Sequence, residues 1–234
     1  MCGRFSRQEE RQGILARFKA SESFADESIG PEIYRPRYNL APGHTGPVVV
    51  GEDFRRMRPQ RWGLVPSWAK DQAIGQKMIN ARAETLAEKP SFRSLLLARR
   101  SIVPATGFYE WAAEGKQKTP MHFRLRSGGL FGFAALWDRW KPPNGAGGEL
   151  ETFTIITTTP NGLLAKIHHR MPVILRREDE DRWLDPELKD PAALLSMLLP
   201  YAEEEMEGFE VSRAVNSSAF DDPECVKPET GGRH

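Results

Sequence analysis

Residues 101–159 carry the pattern that most restricts the fold of this chain. Short runs rich in β-branched and aromatic residues alternate there with turn sequences such as Ser127-Gly128-Gly129. Such alternation predicts antiparallel strands joined as hairpins. The five predicted strands are residues 101–105, 107–111, 122–126, 130–136 and 151–159. Because strand-like sequence flanks residues 141–148 on both sides, we expect that Pro- and Gly-rich stretch to be a hairpin loop and not a linker.

The rest of the chain predicts shorter elements around this β region. Ser6-Arg7-Gln8-Glu9 has the spacing of a capping box, so we expect a helix to begin directly after Ser6. The Pro, Gly and Ser content of residues 21–46 indicates a loop, and residues 48–50 and 61–65 indicate strands. Further helices are predicted at residues 84–98, 161–168, 177–183 and 191–199.

Length and composition fit one domain. A chain of 234 residues with 39% hydrophobic content can bury a sizeable core without dividing. Its 18 Pro and 20 Gly favour turns and short strands over a helical bundle. Since the sequence after Asp221 is polar and contains Pro and Gly, we expect residues 1–220 to form the domain and residues 221–234 to form a flexible tail.

Localisation signals point to the cell interior. No apolar stretch approaches the roughly 18 residues of a membrane span, and the amino terminus lacks the basic start and apolar centre of a secretory signal. Cys2 and Cys225 stand at opposite ends of the chain and do not make a disulfide framework, which favours a reducing compartment. We expect a cytoplasmic protein without membrane association.

Charge is unevenly distributed although the net charge is only +1. Residues 55–100 contain eleven Lys and Arg against three Asp and Glu, whereas residues 176–210 contain twelve acids against four bases. The first segment therefore offers a basic face for nucleic acid, and solvated surface charge is the alternative explanation.

Cys2 is the residue whose position matters most for chemistry. Removal of Met1, which is usual before a small side chain, leaves a free α-amine beside the Cys2 thiol. An aldehyde can condense with this amine to an imine, and the thiol can add to the same carbon and close a thiazolidine ring. An α-amine with a pKa of about 7.7–8.0 is unprotonated far more often at neutral pH than Lys, whose pKa is about 10.4. A cysteine at position 2 can also be an incidental bystander.

Two further segments contain candidate groups. If residues 78–85 are extended, Asn80, Arg82 and Glu84 point to one side, and the alternative is a helix entrance capped by Asn80. Glu110 lies within an apolar strand, where loss of solvation would raise its pKa toward use as a general acid, although an outward, solvated carboxylate is equally compatible with the pattern.

His168 and His169 end a predicted helix. Adjacent histidines point in different directions and no third ligand stands at a suitable spacing, so the sequence does not predict a metal site. One of the two histidines could act as a base or proton shuttle near neutral pH.

Six ordered segments resemble the SOS response-associated peptidase family, whose members are abasic-site processing proteins in bacteria and eukaryotes. These segments are residues 1–5, 37–43, 61–68, 79–85, 107–111 and 167–172. The resemblance implies an α+β fold: a single domain with a mainly antiparallel, barrel-like β-sheet and flanking helices. It also implies a groove for single-stranded DNA.

The resemblance implies a role for each matching residue. Cys2 matches the crosslinking cysteine, Asn80 the asparagine that orients its amine, and Glu110 the glutamate. His168 matches the histidine of the family's Ile-His-x-Arg pattern, which leaves His169 in the variable position. The expected DNA-binding residues are Arg4, Arg82, Arg170, Trp68, Asn39 and Pro42.

The function implied is covalent capture of abasic sites in single-stranded DNA through a thiazolidine at Cys2, which shields the lesion from strand cleavage. The resemblance implies no metal and no other cofactor, a monomer, and association with the nucleoid when DNA is bound. The family name adds possible peptidase, autoproteolytic or lyase activity. Two alternatives stay open: a thiol peptidase or amidohydrolase that uses Cys2, and a non-covalent single-stranded DNA-binding module.

Overall fold

A computed structural model describes residues 2–22, 30–51, 54–115, 117–143, 145 and 148–229. Within these residues the chain forms thirteen strands and five α-helices. The strands are β1 (Phe5–Arg7), β2 (Ser21–Glu22), β3 (Arg37–Leu40), β4 (Thr45–Gly51), β5 (Arg55–Trp62), β6 (Asn80–Arg82), β7 (Arg100–Ala105), β8 (Gly107–Glu114), β9 (Gln117–Leu125), β10 (Phe131–Trp140), β11 (Leu150–Thr158), β12 (Met171–Pro172) and β13 (Met206–Glu210). The helices are α1 (Arg11–Phe18), α2 (Pro90–Ala98), α3 (Gly162–Ala165), α4 (Arg177–Leu184) and α5 (Pro191–Leu195).

The larger sheet closes on itself. Its strands pair in the order β5, β4, β7, β10 and β11, all antiparallel, and β11 returns to β5 through a short parallel contact at Thr152↔Arg61 and Phe153↔Trp62. Closure removes exposed edges from these five strands. A second sheet of five strands, in the order β13, β9, β8, β1 and β3, packs beside this barrel. The α+β, barrel-like fold expected from the resemblance is therefore confirmed.

Both faces of the barrel strands are buried. Val48 and Val50 on β4 point into a core shared with the second sheet, whereas Val49 between them points toward the helices. The same alternation separates Phe133 from Ala134 on β10. Successive side chains of a strand project to opposite faces, so one strand serves both cores. Cys2 belongs to the core between the barrel and the second sheet.

The central strand predictions are confirmed, with the hairpin of β10 and β11 on either side of the predicted loop. Residues 144, 146 and 147 of that loop lie outside the described residues. The helix predicted at residues 177–183 is confirmed as Arg177–Leu184, and the helices predicted at residues 84–98, 161–168 and 191–199 exist but are shorter. Pro90 begins α2 at the first helical position, where a backbone N–H would have no partner within the helix. The strand predicted to reach Val65 ends at Trp62. Gly63 follows with a φ of 119°, and a Cβ there would lie 2.7 Å from the Gly75 carbonyl oxygen.

The helix predicted near the amino terminus exists, but it begins at Arg11, so the predicted start directly after Ser6 is wrong. Ser6 lies in β1 between β3 and β8, and its hydroxyl faces the buried Thr106 and His122 at 3.3 and 3.0 Å instead of capping a helix. Burial of β1 outweighs the local capping signal. The loop predicted over residues 21–46 is likewise corrected, since it contains β3, the partner of β1; residues 23–29 lie outside the described residues.

The flexible tail expected from Asp221 is corrected for residues 221–229. Asp221 accepts hydrogen bonds from the backbone N–H groups of Tyr38 and Asn39 and pairs with Arg37. Cys225 is fully buried, and its carbonyl accepts from the Tyr109 hydroxyl at 3.2 Å. The polar composition of this segment did not predict these contacts, because backbone groups and the Asp221 carboxylate make them. Residues 230–234 lie outside the described residues.

No helix among the described residues has both the length and the apolar character needed to cross a membrane.

Candidate active site at the amino terminus

The pairing of β1 with β8 carries Cys2 toward Glu110. Phe5 pairs with Phe108, and the Tyr109 N–H donates to the Arg4 carbonyl at 3.0 Å. Continued for one more residue, this antiparallel register sets Gly3 opposite Glu110. Cys2 is fully buried, with its thiol 3.9 Å from the Arg4 carbonyl oxygen.

Asn80 reaches the same point from the barrel. It begins β6, which runs parallel to β11, and the Trp62 indole donates to the neighbouring Ile79 carbonyl at 2.9 Å. The Asn80 side-chain nitrogen donates to the Cys2 carbonyl oxygen at 2.9 Å. The Asn80 Oδ1 atom is buried and has no hydrogen-bond partner among the described residues. Of the two arrangements considered for residues 78–85, the structure contains the extended one only over Asn80–Arg82, and Asn80 does not cap a helix. Glu84 lies in the 3₁₀ turn of Ala83–Thr85 that follows.

Glu110 is buried, with 4% of its surface exposed. This burial raises its pKa, and the positive charge of the amino terminus offsets part of the effect. The sequence left open whether this carboxyl faces the solvent, and the structure decides for burial. Burial also raises the pKa of the Cys2 thiol, and the charge of Glu110 raises it further. The thiol is therefore protonated at neutral pH.

His168 lies in the loop between α3 and β12. Its backbone N–H donates to Leu164, and the side chain of Asn161 caps α3 through the Leu164 N–H at 3.0 Å. The ring of His168 is partly buried and stacks on exposed His169 at 4.3 Å between ring centres. Burial lowers the pKa of His168, and the charges of the amino terminus and of Arg170 lower it further. The structure thus joins Asn80 to Cys2 by a hydrogen bond and brings Glu110 near enough for its charge to raise the pKa of the Cys2 thiol. His168 is held instead by the backbone of its own loop.

Asn39 does not lie on the surface. It is fully buried, its Oδ1 accepts from Arg4 at 2.6 Å, and its Nδ2 donates to the carbonyls of Val215, Ser217 and Phe220. The expected contact of Asn39 with DNA stays a prediction, and in this structure no part of its side chain is accessible for such a contact. The Asn39 amide makes hydrogen bonds within the protein, and a sequence motif does not distinguish such an internal residue from a DNA-binding one.

Arg4 and Arg170 are also engaged within the protein. Arg4 is partly buried and donates to Val215 as well as to Asn39. Arg170 is 8% exposed, and its guanidinium makes two hydrogen bonds to Glu84, at 2.7 and 2.9 Å. From the sequence, Glu84 was grouped with Asn80 and Arg82 but had no assigned role. Its ion pair with Arg170 could not be predicted, because the two residues are 86 positions apart in the chain.

Other expected DNA contacts are accessible. Pro42 and Arg82 are exposed, and Trp68 has 62% of its surface exposed. Pro42 borders a groove of about 590 Å³ that Arg61 and Gln72 also line.

The basic segment of residues 55–100 is partly neutralised by acids from elsewhere in the chain. Arg55 pairs with Asp181, and Arg58 pairs with Glu151 at 3.3 Å. Arg100 is buried and donates to three backbone carbonyls. Among the described residues, no group of three or more His, Cys, Asp and Glu side chains could hold a metal ion.

The fold and site together define a class of protein: a closed β-barrel domain that buries Cys2 against an asparagine from the barrel and a glutamate from the adjoining sheet. A solved structure from Bacteroides thetaiotaomicron has this fold, with a TM-score of 0.85 and 32% identity over 97% of this chain and 100% of that one. The family model described as "SOS response associated peptidase (SRAP)" matches residues 1–218. The chain belongs to the SOS response-associated peptidase family, as its motifs predicted.

Two relatives carry informative names. "Abasic site processing protein YoqW" of Bacillus subtilis is 46% identical over 229 residues, which are 97% of this chain and 99% of that protein. "Abasic site processing protein HMCES" of Gallus gallus is 34% identical over 227 residues, covering 83% of this chain and 67% of that protein.

Proposed function

We propose that this protein processes abasic sites in DNA by capturing them covalently through Cys2. The observation that carries the proposal is the hydrogen bond from Asn80 to the Cys2 carbonyl, made beside the buried Glu110 carboxyl. A cysteine held by its backbone near an acid is suited to chemistry at its α-amine. The names of the relatives, abasic site processing proteins, support the same substrate.

The reaction needs a free α-amine on Cys2, which hydrolysis of the Met1–Cys2 peptide bond provides. The ring-opened abasic sugar presents an aldehyde at C1′. The Cys2 amine adds to this carbon, and loss of water gives the imine. The thiol sulfur then adds to the imine carbon, its proton passes to the nitrogen, and a thiazolidine ring closes. One water is released overall, and neither an oxidant nor a metal is required.

Each neighbouring residue has a defined part in this proposal. Asn80 orients Cys2 through its carbonyl, and its unpartnered Oδ1 is available to accept from the new amine. Glu110, whose pKa burial raises, donates a proton to open the sugar hemiacetal and to expel water. His168 assists these proton transfers as the second titratable group near the amine.

Aldehyde capture explains the state of the Cys2 thiol better than hydrolysis does. A thiol peptidase requires a nucleophile whose pKa is depressed by a neighbouring cation. At Cys2, burial and the charge of Glu110 act in the opposite direction. The amine therefore attacks first, and the thiol adds afterwards to an activated imine.

The proposal is tested with protein whose intact mass shows the loss of Met1. It is mixed with a single-stranded oligonucleotide bearing one abasic site and then denatured. We expect a shifted, heat-resistant band. An oligonucleotide with a tetrahydrofuran abasic analogue lacks the aldehyde, so it should bind without crosslinking. Absence of the band with the true abasic site would contradict covalent capture, and turnover of a peptide substrate would favour the hydrolase alternative.

The capture rate should have a bell-shaped pH dependence. Its rising limb reflects deprotonation of the amine, whose ordinary pKa is about 7.7–8.0, and its falling limb reflects loss of the Glu110 proton. Glu110→Gln should slow capture about 10²-fold and remove the falling limb. An unchanged rate and profile in Glu110→Gln would remove this residue from the acid role.

The same variant has an expected effect on stability. Because burial raises the pKa of Glu110 above its unfolded value, protonation stabilises the fold at low pH, and this contribution is lost as the pH rises through the folded pKa. Glu110→Gln should therefore raise the unfolding midpoint at pH 8, by about 2–4 °C for each kcal/mol gained in the free energy of unfolding. At pH 4 the midpoint should not change. Thermal unfolding at the two pH values measures the difference.

Trp68→Ala should weaken binding of single-stranded DNA. An exposed indole can stack on a base, which contributes about 1–3 kcal/mol, or roughly 5- to 150-fold in affinity. Stability should change by less than about 0.5 kcal/mol. Phe54→Ala is the matched control, since Phe54 is 52% exposed at the opposite end of β5. Equal losses of affinity in both variants would argue against a specific contact by Trp68. Fluorescence anisotropy measures the DNA affinity of both variants.

A further inference from the structure

Glu84 and Arg170 form an ion pair beside the proposed active site that the chemistry above does not use. Both Glu84 carboxylate oxygens accept from the Arg170 guanidinium, and Arg170 Nη2 also donates to the Thr157 carbonyl at 2.6 Å. The Arg170 side chain is 9% exposed, and that of Glu84 is 46% exposed. The hydrogen bonds from Arg170 lower the pKa of Glu84, so the carboxylate is ionised at neutral pH.

This pair fixes the loop that carries His168. The guanidinium of Arg170 is attached to β11 at Thr157 and, through Glu84, to the turn that follows β6. The backbone N–H of the same arginine donates to His168 Nδ1 at 3.0 Å. Because a backbone N–H can only donate, Nδ1 must accept, and the neutral ring then carries its proton on Nε2. The Arg170 carbonyl lies 3.2 Å from the same nitrogen and would be the partner if Nδ1 were protonated.

We propose that Glu84 is a positioning residue for His168: by anchoring Arg170, it holds the His168 loop so that the neutral ring keeps its proton on Nε2. In the proposed capture reaction, this tautomer makes His168 a hydrogen-bond donor toward the substrate oxygen and not a base. The kinetic part of this inference rests on the proposed function, whereas the tautomer is a property of the free protein.

The charges around His168 set the direction of the expected change. Arg170 in its own loop acts on His168 directly, and the charge of His168 interacts with that of the neighbouring His169. Arg82 on β6 and Glu110 on β8 act on His169, and Glu84 in the turn after β6 pairs with Arg170. Glu84 neutralises Arg170. Without this carboxylate, the uncompensated guanidinium disfavours the His168 imidazolium, and the pKa of His168 falls.

An ordinary surface ion pair would not have this consequence. Exposed pairs contribute little, about 0–1 kcal/mol, and they do not govern a distant titration. Here one partner is buried, so removal of the other leaves a charge without compensation. Effects on His168 therefore separate a positioning role from a merely stabilising one.

The test is nitrogen NMR of the His168 ring across the pH range in wild type, Glu84→Gln and the control Glu88→Gln. Glu88 is an exposed acid in the same segment. We expect the wild type to show the Nε2–H tautomer. Glu84→Gln should lower the pKa of His168 and mix the two tautomers, and Glu88→Gln should change neither. If Glu84→Gln does not fold, Glu84→Asp, which retracts the carboxylate, is measured in the same way.

Capture kinetics supply the second readout. Glu84→Gln should slow crosslinking about 10-fold and shift the pH profile, as loss of a partner that orients a histidine typically does. Binding to the tetrahydrofuran oligonucleotide should be unchanged. An unaltered tautomer and pKa in Glu84→Gln overturns the inference, whatever the kinetics. Failure of the wild type to crosslink would overturn the proposed function instead, and the NMR result would still decide the role of Glu84.

Discussion

Cys2→Ala should abolish the heat-resistant complex with abasic DNA and leave binding to the tetrahydrofuran oligonucleotide within about twofold of wild type. The alanine keeps an α-amine after Met1 is removed, so an imine can form, but no thiol remains to close the ring. An imine hydrolyses on denaturation. A denaturing gel measures the first effect, and anisotropy measures the second.

Cys2→Ser is the more discriminating companion. Its hydroxyl is a much poorer nucleophile than sulfur toward the imine carbon, so the adduct should survive heating only after reduction with borohydride. An equally stable adduct without reductant would contradict the thiazolidine step. A heat-resistant adduct in Cys2→Ala would move the reaction to another residue.

Asn39→Ala should lower the free energy of unfolding by about 3 kcal/mol. The substitution deprives Arg4 of one acceptor and leaves the carbonyls of Ser217 and Phe220 without the Asn39 donor, whereas the Val215 carbonyl keeps its hydrogen bond from Arg4. Each unpaired group costs about 1–3 kcal/mol with partial relaxation. At about 2–4 °C per kcal/mol, the unfolding midpoint should fall by roughly 6–12 °C. Urea or thermal unfolding measures the change.

The matched control is Gln76→Ala, which removes an exposed amide and should change stability by less than about 0.5 kcal/mol. Weaker DNA binding by Asn39→Ala without loss of stability would contradict the internal role assigned to Asn39. We expect the opposite, because the side chain is fully buried.

This network also explains how the carboxyl-terminal segment supports the site. Asn39 joins Arg4, which is two residues from Cys2, to the carbonyls of Val215, Ser217 and Phe220. Asp221 also accepts hydrogen bonds from two backbone N–H groups of β3. Part of this segment lies beyond residue 218, where the family model ends. The position of Cys2 therefore depends on residues far along the chain.

Much of the fold was predictable because it depends on local patterns. Alternation and turn residues predicted the strands of residues 101–159, including the hairpin of β10 and β11. The prediction failed where tertiary burial competes with local preference. Ser6 has a capping-box spacing but lies in a buried strand, and polar residues after Asp221 pack through backbone bonds.

The candidate site divides in the same way. The sequence by itself determined that Cys2 could offer an amine and a thiol together, because that chemistry depends only on its place in the chain. Its ordered motifs also determined the family. Only the tertiary structure decided that Glu110 is buried, that Asn80 binds the Cys2 carbonyl, and that Asn39 is internal. Solvation and hydrogen bonding arise from residues brought together by strand pairing, and no local pattern records which side of a strand faces the interior.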